Sequence, residues 1–203
     1  MRYKVNEIFR SLQGEGFWTG TPMVFLRLSG CNLACPFCDT DHADGREMTA
    51  EEIAGQVLKL GSGCTRVCIT GGEPLLQLDE NLVNALHQAG YTLHIETNGT
   101  RPVPEGVDWV TLSPKEDVPA IKGNPKVVLE RADEVKLVFD GTLPEERLSC
   151  WAGFPAAWHF LQPCDTGDPV KNRALTEETI RYIQGHNPAW RLSLQTHKLL
   201  GIR

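Results

Sequence analysis

The sequence predicts an α/β chain, a partial, open TIM barrel of (βα)6 type with reduced helical content in its C-terminal half. Three observations predict it. Short, largely apolar runs recur along the chain, as expected of parallel strands covered on both faces. Capped helical segments separate the early runs, the alternation that a parallel sheet requires. After the middle of the chain the helical signals thin out, leaving too few for a closed eight-fold barrel.

The elements follow in order. Met23–Leu28 (MVFLRL) reads as a strand. Thr49-Ala50-Glu51-Glu52 is a capping box ahead of Ile53, Val57, Leu58 and Leu60, with Gly61 at the helix end. Arg66–Thr70 (RVCIT) is the next strand, and Asp79 caps a helix carrying Leu82, Val83 and Leu86 that stops at Gly90. Leu93–Glu96 and Trp109–Leu112 are strands. Between Ser113 and Asp133, Pro114, Pro119, Gly123 and Pro125 predict loop. Val135–Phe139, Trp158–Leu161 and Arg191–Leu194 complete the strands. Thr176 caps a third helix, with Ile180 and Ile183 on one face and Asn187-Pro188 at its end. Active-site groups on such sheets lie at the C-terminal strand edges, here the loops after Leu28, Thr70, Glu96, Leu112 and Leu161.

Bulk properties exclude several classes. A chain of 203 residues with no repeat, low-complexity segment or Gly/Ser linker predicts one domain spanning residues 1–203. The net charge is −6 with both signs interspersed, and no basic block follows a phosphate backbone, so nucleic acid is not expected as a partner. Apolar stretches fall far short of the roughly 20 residues that span a bilayer, and the N-terminus carries charges without an apolar signal segment. No membrane association and a cytoplasmic location are therefore expected. Seven cysteines is an odd number that metal binding or reactive thiols explain better than a disulfide framework.

Three of these cysteines form Cys31-x3-Cys35-x2-Cys38, on a loop just after a strand. Three thiolates so spaced can hold three irons of a 4Fe–4S cluster, and the missing fourth ligand leaves one iron open to a small molecule. Two other readings compete. Cys35-Pro36-Phe37-Cys38 could be a thiol–disulfide pair, which leaves Cys31 unexplained. The cysteines could also hold zinc together with Cys64 and Cys68, although Cys68 inside VCIT reads as a packed core residue. The second constellation is Gly71-Gly72-Glu73-Pro74, directly after a strand. Its glycines let the backbone approach a ligand closely, and the Glu73 carboxylate can bind an ammonium. Alone it could be a plain turn.

Together the cysteine triplet and GGEP resemble the radical S-adenosylmethionine superfamily. Further motifs resemble the 7-carboxy-7-deazaguanine synthase family within it: Ser11–Gly16 (SLQGEG), Arg27-Leu28-x-Gly30-Cys31, Cys38-Asp39-Thr40, Ile69–Pro74, Glu96–Thr100 (ETNGT), Ser113-Pro114-Lys115, Leu161-Gln162-Pro163 and Ser193–Lys198 (SLQTHK). They run from residue 11 to the end of the chain. Cys164-Asp165 follows at a position where the family varies.

The resemblance implies a radical lyase that converts 6-carboxy-5,6,7,8-tetrahydropterin to 7-carboxy-7-deazaguanine with loss of ammonia, on the route to queuosine. It implies a 4Fe–4S cluster on Cys31, Cys35 and Cys38, S-adenosylmethionine, and Mg2+ on Thr40. Contacts to S-adenosylmethionine are expected from Phe37, Cys38, Asp39, Gly72, Glu73, Ser113, Pro114, Lys115, Gln162, Pro163, Cys164 and Asp165. Pterin contacts are expected from Leu12, Gln13, Gly14, Glu15, Arg27, Thr70, Thr97, His197 and Arg203. Arg27 supplies a planar fork suited to a carboxylate. No side chain is expected to be catalytic, since the cofactor supplies the radical. The implied partners are the small-molecule pterin, an external reductant such as flavodoxin or ferredoxin, and a second copy in a homodimer. Two further functions stay open on the sequence alone: an activase acting on a glycyl-radical partner protein, and a zinc-stabilised binding module.

Overall fold

The structure is a computed structural model that describes residues 1–116, 118, 126–185 and 189–203. Pro119, Gly123, Pro125 and Asn187-Pro188, which entered the loop and helix-end expectations, lie outside the described residues. Nine strands form one sheet: β1 (Tyr3–Leu12), β2 (Pro22–Leu28), β3 (Arg46–Met48), β4 (Arg66–Gly71), β5 (Thr92–Thr97), β6 (Trp109–Leu112), β7 (Ala132–Phe139), β8 (Ala156–Pro163) and β9 (Trp190–Leu192). Their order is β3-β1-β2-β4-β5-β6-β7-β8-β9, with β3 and β9 as unpaired ends, so the barrel is open. From β2 to β9 every neighbouring pair is parallel, and β1 and β3 add antiparallel at the β2 edge. The parallel part thus holds seven strands, one at each of the seven runs that the sequence reads as strands, in a partial, open barrel.

The strands absent from the sequence reading are β1 and β3. Charged residues throughout YKVNEIFRSL hide β1, yet Tyr3 and Val5 are fully buried and alternate with solvated neighbours, as an antiparallel edge strand allows. The last strand covers Trp190–Leu192 rather than Arg191–Leu194, because Ser193 and Leu194 already lead into the tail.

Among the described residues there are five α-helices: α1 (Ala50–Leu60), α2 (Glu80–Gln88), α3 (Glu145–Ala152), α4 (Pro169–Gly185) and α5 (Thr196–Leu200), the last at the cavity mouth. The predicted capping box holds: Glu52 N–H donates to Thr49 Oγ1 at 3.2 Å and Thr49 N–H to Glu52 Oε2 at 2.7 Å. Asp79 caps α2 through Oδ1, 3.0 Å from Leu82 N. The third helix starts well before Thr176. Asp168 Oδ1 accepts from the N–H groups of Val170 and Lys171 at 2.9 and 3.3 Å, while Thr176 Oγ1 donates to Asn172 O inside the helix. Helix α3 escaped the sequence reading because Pro144 at its N-cap makes no side-chain bond and only Leu148 and Trp151 are buried. Among the described residues, the connection from β5 to β6 carries no helix.

One apolar cluster joins α1 and α2 to β1–β5, around Leu26, Ile53, Ile69, Leu82 and Ile95; a second joins Leu112, Val135, Leu161 and Trp190 to α3. The Gln13–Thr21 loop between β1 and β2 folds into the barrel. Its ends are tied by Gln13 N–H to Thr21 O at 2.8 Å and Gly20 N–H to Gln13 O at 2.7 Å. Phe17 stacks on Trp109 at 5.2 Å, and Trp18 meets His94 edge-on at 5.1 Å under the Arg66 guanidinium. Arg66 and Trp109 open β4 and β6, so this aromatic plug fills the N-terminal end of the barrel. The C-terminal end is left for a cavity.

Candidate active site

That cavity has a volume of about 600 Å3. Arg27 of β2, Thr70 and Gly71 of β4, Glu96 and Thr97 of β5, Lys136 of β7 and Gln162 of β8 line it from the strand ends. Of the residues singled out from sequence, it brings together Leu12, Gln13, Gly14, Glu15, Arg27, Cys31, Cys35, Phe37, Cys38, Asp39, Thr40, Thr70, Gly72, Thr97, Ser113, Lys115, Gln162, Pro163, Cys164, Asp165, His197 and Arg203. Glu73 and Pro114 are not part of its lining.

All three triplet cysteines are free thiols on one wall. Cys38 N–H donates to Cys35 O at 3.1 Å, and Leu33 N–H to Cys31 Sγ at 3.4 Å. Burial pushes the Cys31 and Cys35 thiols up, and coordination to a cation would reverse this, since it deprotonates a thiol outright. Among the described residues no three His, Cys, Asp or Glu side chains converge on a point fit for a single ion. A zinc ion would need four sulfurs within roughly 2.3 Å of one centre. Cys64 and Cys68 cannot help: Cys64 Sγ lies against Pro22 O at 3.1 Å, and Cys68 is fully buried in β4. A four-sulfur zinc site drawing on Cys64 and Cys68 is thereby excluded. Three free cysteines in one cavity lining are the donor set of a cubane that keeps one iron open.

The GGEP loop is welded to the cysteine loop. Glu73 N–H donates to Gly30 O at 2.9 Å and Gly72 N–H to Leu28 O at 3.2 Å. A Cβ on Gly72 would fall 2.1 Å from Gly30 O and 2.9 Å from Cys31 Cβ, so only glycine permits this approach. Glu73 is 1% exposed. Its Oε1 accepts from Thr97 Oγ1 at 2.7 Å and Leu75 N–H at 3.0 Å, and its Oε2 from Asn98 N–H at 2.8 Å. Burial raises this carboxyl's pKa and those three donors pull it back. The carboxylate thus fixes the strand-end loops, and the groups of this motif that face the cavity are Gly71 and Gly72.

Deeper inside lies a charged group. Lys136, 4% exposed, pairs with Glu15 and, at 3.4 Å, with Glu96. Gln195 Nε2 donates to Glu15 Oε1 at 3.0 Å, Gln13 Nε2 to Glu96 Oε1 at 3.0 Å, and Glu15 N–H to Gln13 Oε1 at 3.1 Å. Burial opposes ionisation of Glu15, yet Lys136 and Gln195 outweigh it and hold the carboxyl near 2. Burial likewise opposes the Lys136 charge, and Glu15, Glu96 and Glu134 override it, so its pKa is raised. Burial brings the Lys115 ammonium down to about 8; it donates to Ser113 O and Oγ at 2.8 and 2.7 Å.

At the mouth, Arg27 Nε pairs with Glu7 at 2.9 Å and Nη1 lies 3.4 Å from Thr40 Oγ1. Lys198 joins Asp39 at 2.5 Å to Asp165 at 2.6 Å, tying the cysteine loop to the loop after β8. The tail returns over β1: Thr196 N–H donates to Gly14 O at 3.0 Å, Arg203 pairs with Glu7, and the His197 ring lies against Gly14. Sequence reasoning missed Lys136, Glu96, Gln195 and Lys198 as site residues. Glu96, Gln195 and Lys198 lie in the motifs ETNGT and SLQTHK, while Lys136 carries a signal of its own, a lysine in the apolar run VKLVF, since lysine is almost never fully buried unless paired.

Comparison with known proteins agrees with this geometry. The Radical SAM superfamily model matches residues 26–143. The 7-carboxy-7-deazaguanine synthase of Bacteroides thetaiotaomicron is 50% identical, and that of Bordetella pertussis 42% identical, each over 100% of both chains. The crystal structure of QueE from Escherichia coli superposes with a TM-score of 0.75 at 30% identity, covering 96% of this chain and 94% of that one. SuiB from Streptococcus suis bound to S-adenosylmethionine shares the fold at a TM-score of 0.51 and 18% identity, over 81% of this chain and 48% of that one. Among the described residues no helix is long and apolar enough to cross a membrane.

Proposed function

The chain belongs to the radical SAM superfamily and, within it, to the 7-carboxy-7-deazaguanine synthases, and from that premise we propose that its cavity converts 6-carboxy-5,6,7,8-tetrahydropterin to 7-carboxy-7-deazaguanine with loss of ammonia, in queuosine synthesis. One observation carries the reading: the cysteine triplet, the glycine pair of GGEP and the polar set around Glu15 all face a single cavity at the C-terminal strand ends. A 4Fe–4S cluster and S-adenosylmethionine, when bound, supply the hydrogen-abstracting radical. Cys31, Cys35 and Cys38 hold the cluster, and the open backbone at Gly71-Gly72 receives the methionine end of the cofactor. Phe37, Asp39, Ser113, Lys115, Gln162, Pro163, Cys164 and Asp165 wall its remaining length.

The substrate lies between Arg27 and Glu15. Arg27 binds the pterin carboxylate, for which its fork geometry suits it. Glu15, Gln13 and the backbone from Leu12 to Gly14 take the donor and acceptor edge of the ring, and Thr70, Thr97, His197 and Arg203 complete the surround. Thr40 offers its hydroxyl to Mg2+, which takes oxygen ligands and keeps waters, leaving positions for substrate oxygens. Residues 1–203 act as one domain, an external reductant such as flavodoxin or ferredoxin delivers the electron, and the working form is a homodimer.

The test is to purify the protein anaerobically, measure iron and sulfide, and incubate the reduced enzyme with S-adenosylmethionine, Mg2+ and the carboxytetrahydropterin. About four irons per chain and formation of the deazaguanine are expected. Cleavage of S-adenosylmethionine without any deazaguanine would refute the substrate while leaving the cluster standing.

A further inference from the structure

Lys136 is the buried charge that the proposed function leaves without a task. It lies on β7 facing the cavity, while Val135, Leu137 and Phe139 point into the apolar core. Burying an ammonium is costly and is offset only by close, hydrogen-bonded partners. Here the offset is two carboxylates, Glu15 from the β1–β2 loop and Glu96 from β5. Two carboxylates to one ammonium leave the group with an excess of acceptors. Glu96 Oε1 accepts from Gln13 and Lys136, whereas Glu96 Oε2 accepts from no group among the described residues.

We propose that Lys136 is a positioning residue that fixes Glu15 and Glu96 as a pair of pure acceptors, so that the cavity selects a heterocycle presenting adjacent N–H donors and rejects one presenting a carbonyl in the same place. This deepens the proposed pterin reading and rests on it. The pterin ring fits the rule because its 2-amino group stands beside a ring N–H. A carboxylate held ionised meets both hydrogens; a protonated one would present a donor to a donor.

The surrounding charges are of both signs: Glu134 disfavours the neighbouring carboxylate Glu96, while Lys136 and His197 favour an ionised Glu15. Glu134, two residues before Lys136 on β7, lies within its electrostatic reach, as do Lys115 after β6 and Glu15 and Glu96. His197 from α5 faces Glu15, Arg27 lines the cavity, and Cys68 lies buried behind Gln13, 3.8 Å from its Nε2. Of these only Lys136 bonds directly to both carboxylates. With it removed, burial, the largest influence on Glu15, acts without its main counterweight, and Glu15 becomes protonated at a higher pH.

The experiment uses reconstituted enzyme and two stable probes in equilibrium dialysis between pH 5.5 and 8.5. The probes are 6-carboxypterin, with a 2-amino group, and 6-carboxylumazine, with a 2-carbonyl. Wild type is expected to favour the pterin at least tenfold. Lys136→Met is expected to lose most of that preference, and its pterin affinity relative to wild type to fall a further tenfold or so from pH 8.5 to 5.5, the size expected for loss of a hydrogen bond to a charged group. Should the single variant fail to fold, the K136M/E96Q double variant keeps the net charge, still strips Glu15 of its cation, and is expected to lose the preference too. Wild-type enzyme that binds neither probe overturns the pterin reading and this proposal with it. Wild-type enzyme that prefers the pterin, alongside a variant that keeps both the preference and a pH-independent ratio, overturns the role of Lys136 alone.

Discussion

Replacing Gly72 with alanine tests whether the cysteine loop and the GGEP loop work as one unit. The added Cβ would sit 2.1 Å from Gly30 O, 2.6 Å from Gly30 C and 2.9 Å from Cys31 Cβ. Carbon and oxygen approach to about 3.3 Å without strain, so the loops must part by roughly 1 Å. The atoms in the way are backbone, which cannot rotate aside. Parting breaks the Glu73 N–H bond to Gly30 O and strains that of Gly72 N–H to Leu28 O. Overpacking of this kind costs about 1–3 kcal/mol, enough to lower the melting temperature by several degrees in a chain of this size. Function suffers more than stability, because Cys31 follows Gly30 and a 1 Å misplacement of reacting groups costs on the order of 100-fold in rate.

The assay compares iron per chain, 5′-deoxyadenosine formation and deazaguanine formation for wild type, Gly72→Ala and Gly55→Ala. Gly55 lies inside α1 with open space around its Cβ position, so alanine there is expected to leave activity unchanged and to stabilise by up to about 1 kcal/mol. Gly72→Ala is expected to lose iron, or to keep it and turn over about 100-fold more slowly. Full iron with turnover within about threefold of wild type would refute the idea that this contact sets the cluster's position.

Four further outcomes are expected. Glu73→Gln turns an amide donor toward the donors on Glu73, leaving a buried bond unmade at a cost of about 1–3 kcal/mol, visible as a lower urea midpoint; an unchanged midpoint would contradict it. His94, buried among Trp18 and Trp109, is pushed down by burial to about 4. The unfolded chain therefore binds that proton first, and stability falls as pH drops from about 6.5 to 4, by at most about 3 kcal/mol; His94→Leu should flatten that window in urea titrations. Ile53→Ala removes a fully buried side chain under α1 and is expected to cost about 2–5 kcal/mol in the same assay. Lys198→Met severs the Asp39–Lys198–Asp165 tie, and iron loss to a chelator should quicken severalfold while the unfolding midpoint moves little; an unchanged loss rate would show that the tie does not hold the cysteine loop.

Apolar runs and local caps carried most of the fold. MVFLRL, RVCIT, WVTL and VKLVF are strands because both of their faces are covered, and Thr49 and Asp79 cap helices through bonds that need only neighbouring residues. What stayed hidden depends on distant partners. Strand β1 alternates apolar with charged residues and becomes a strand only because β2 and β3 supply its ladder. Helix α3 lacks a side-chain cap, and α4 starts at Asp168-Pro169, a signal that Thr176 outshone. The site divides in the same way. Cysteine spacing and the GGEP turn are local and were legible, whereas Glu96 and Lys136 become a pair only when β5 and β7 close around Gln13 and Glu15.

In the Gln13–Thr21 loop the proposed substrate contacts and barrel stability share one segment. Gln13 and Glu15 face the cavity, while Phe17 and Trp18 fill the opposite end of the barrel among Trp109, Trp158 and His94. Gly16 turns the chain between these tasks at φ 65°, beneath Glu134, whose carboxylate accepts from Phe17 N–H at 2.8 Å and Thr111 Oγ1 at 2.8 Å. A side chain at Gly16 would collide with that carboxylate, 2.5 Å from its Oε1, and would strain a backbone conformation that L residues rarely adopt. The open side of the barrel, between β9 and the β3–β1 edge, is bridged by the same loop, through Gly16 N–H to Ser193 Oγ at 3.0 Å and Gly14 O to Thr196. A barrel short of strands thus gains its missing wall from the segment that carries the proposed substrate contacts. Rigid packing at the aromatic end then holds Glu15 against Lys136, which is the preorganisation that the proposed selection of a planar ring requires.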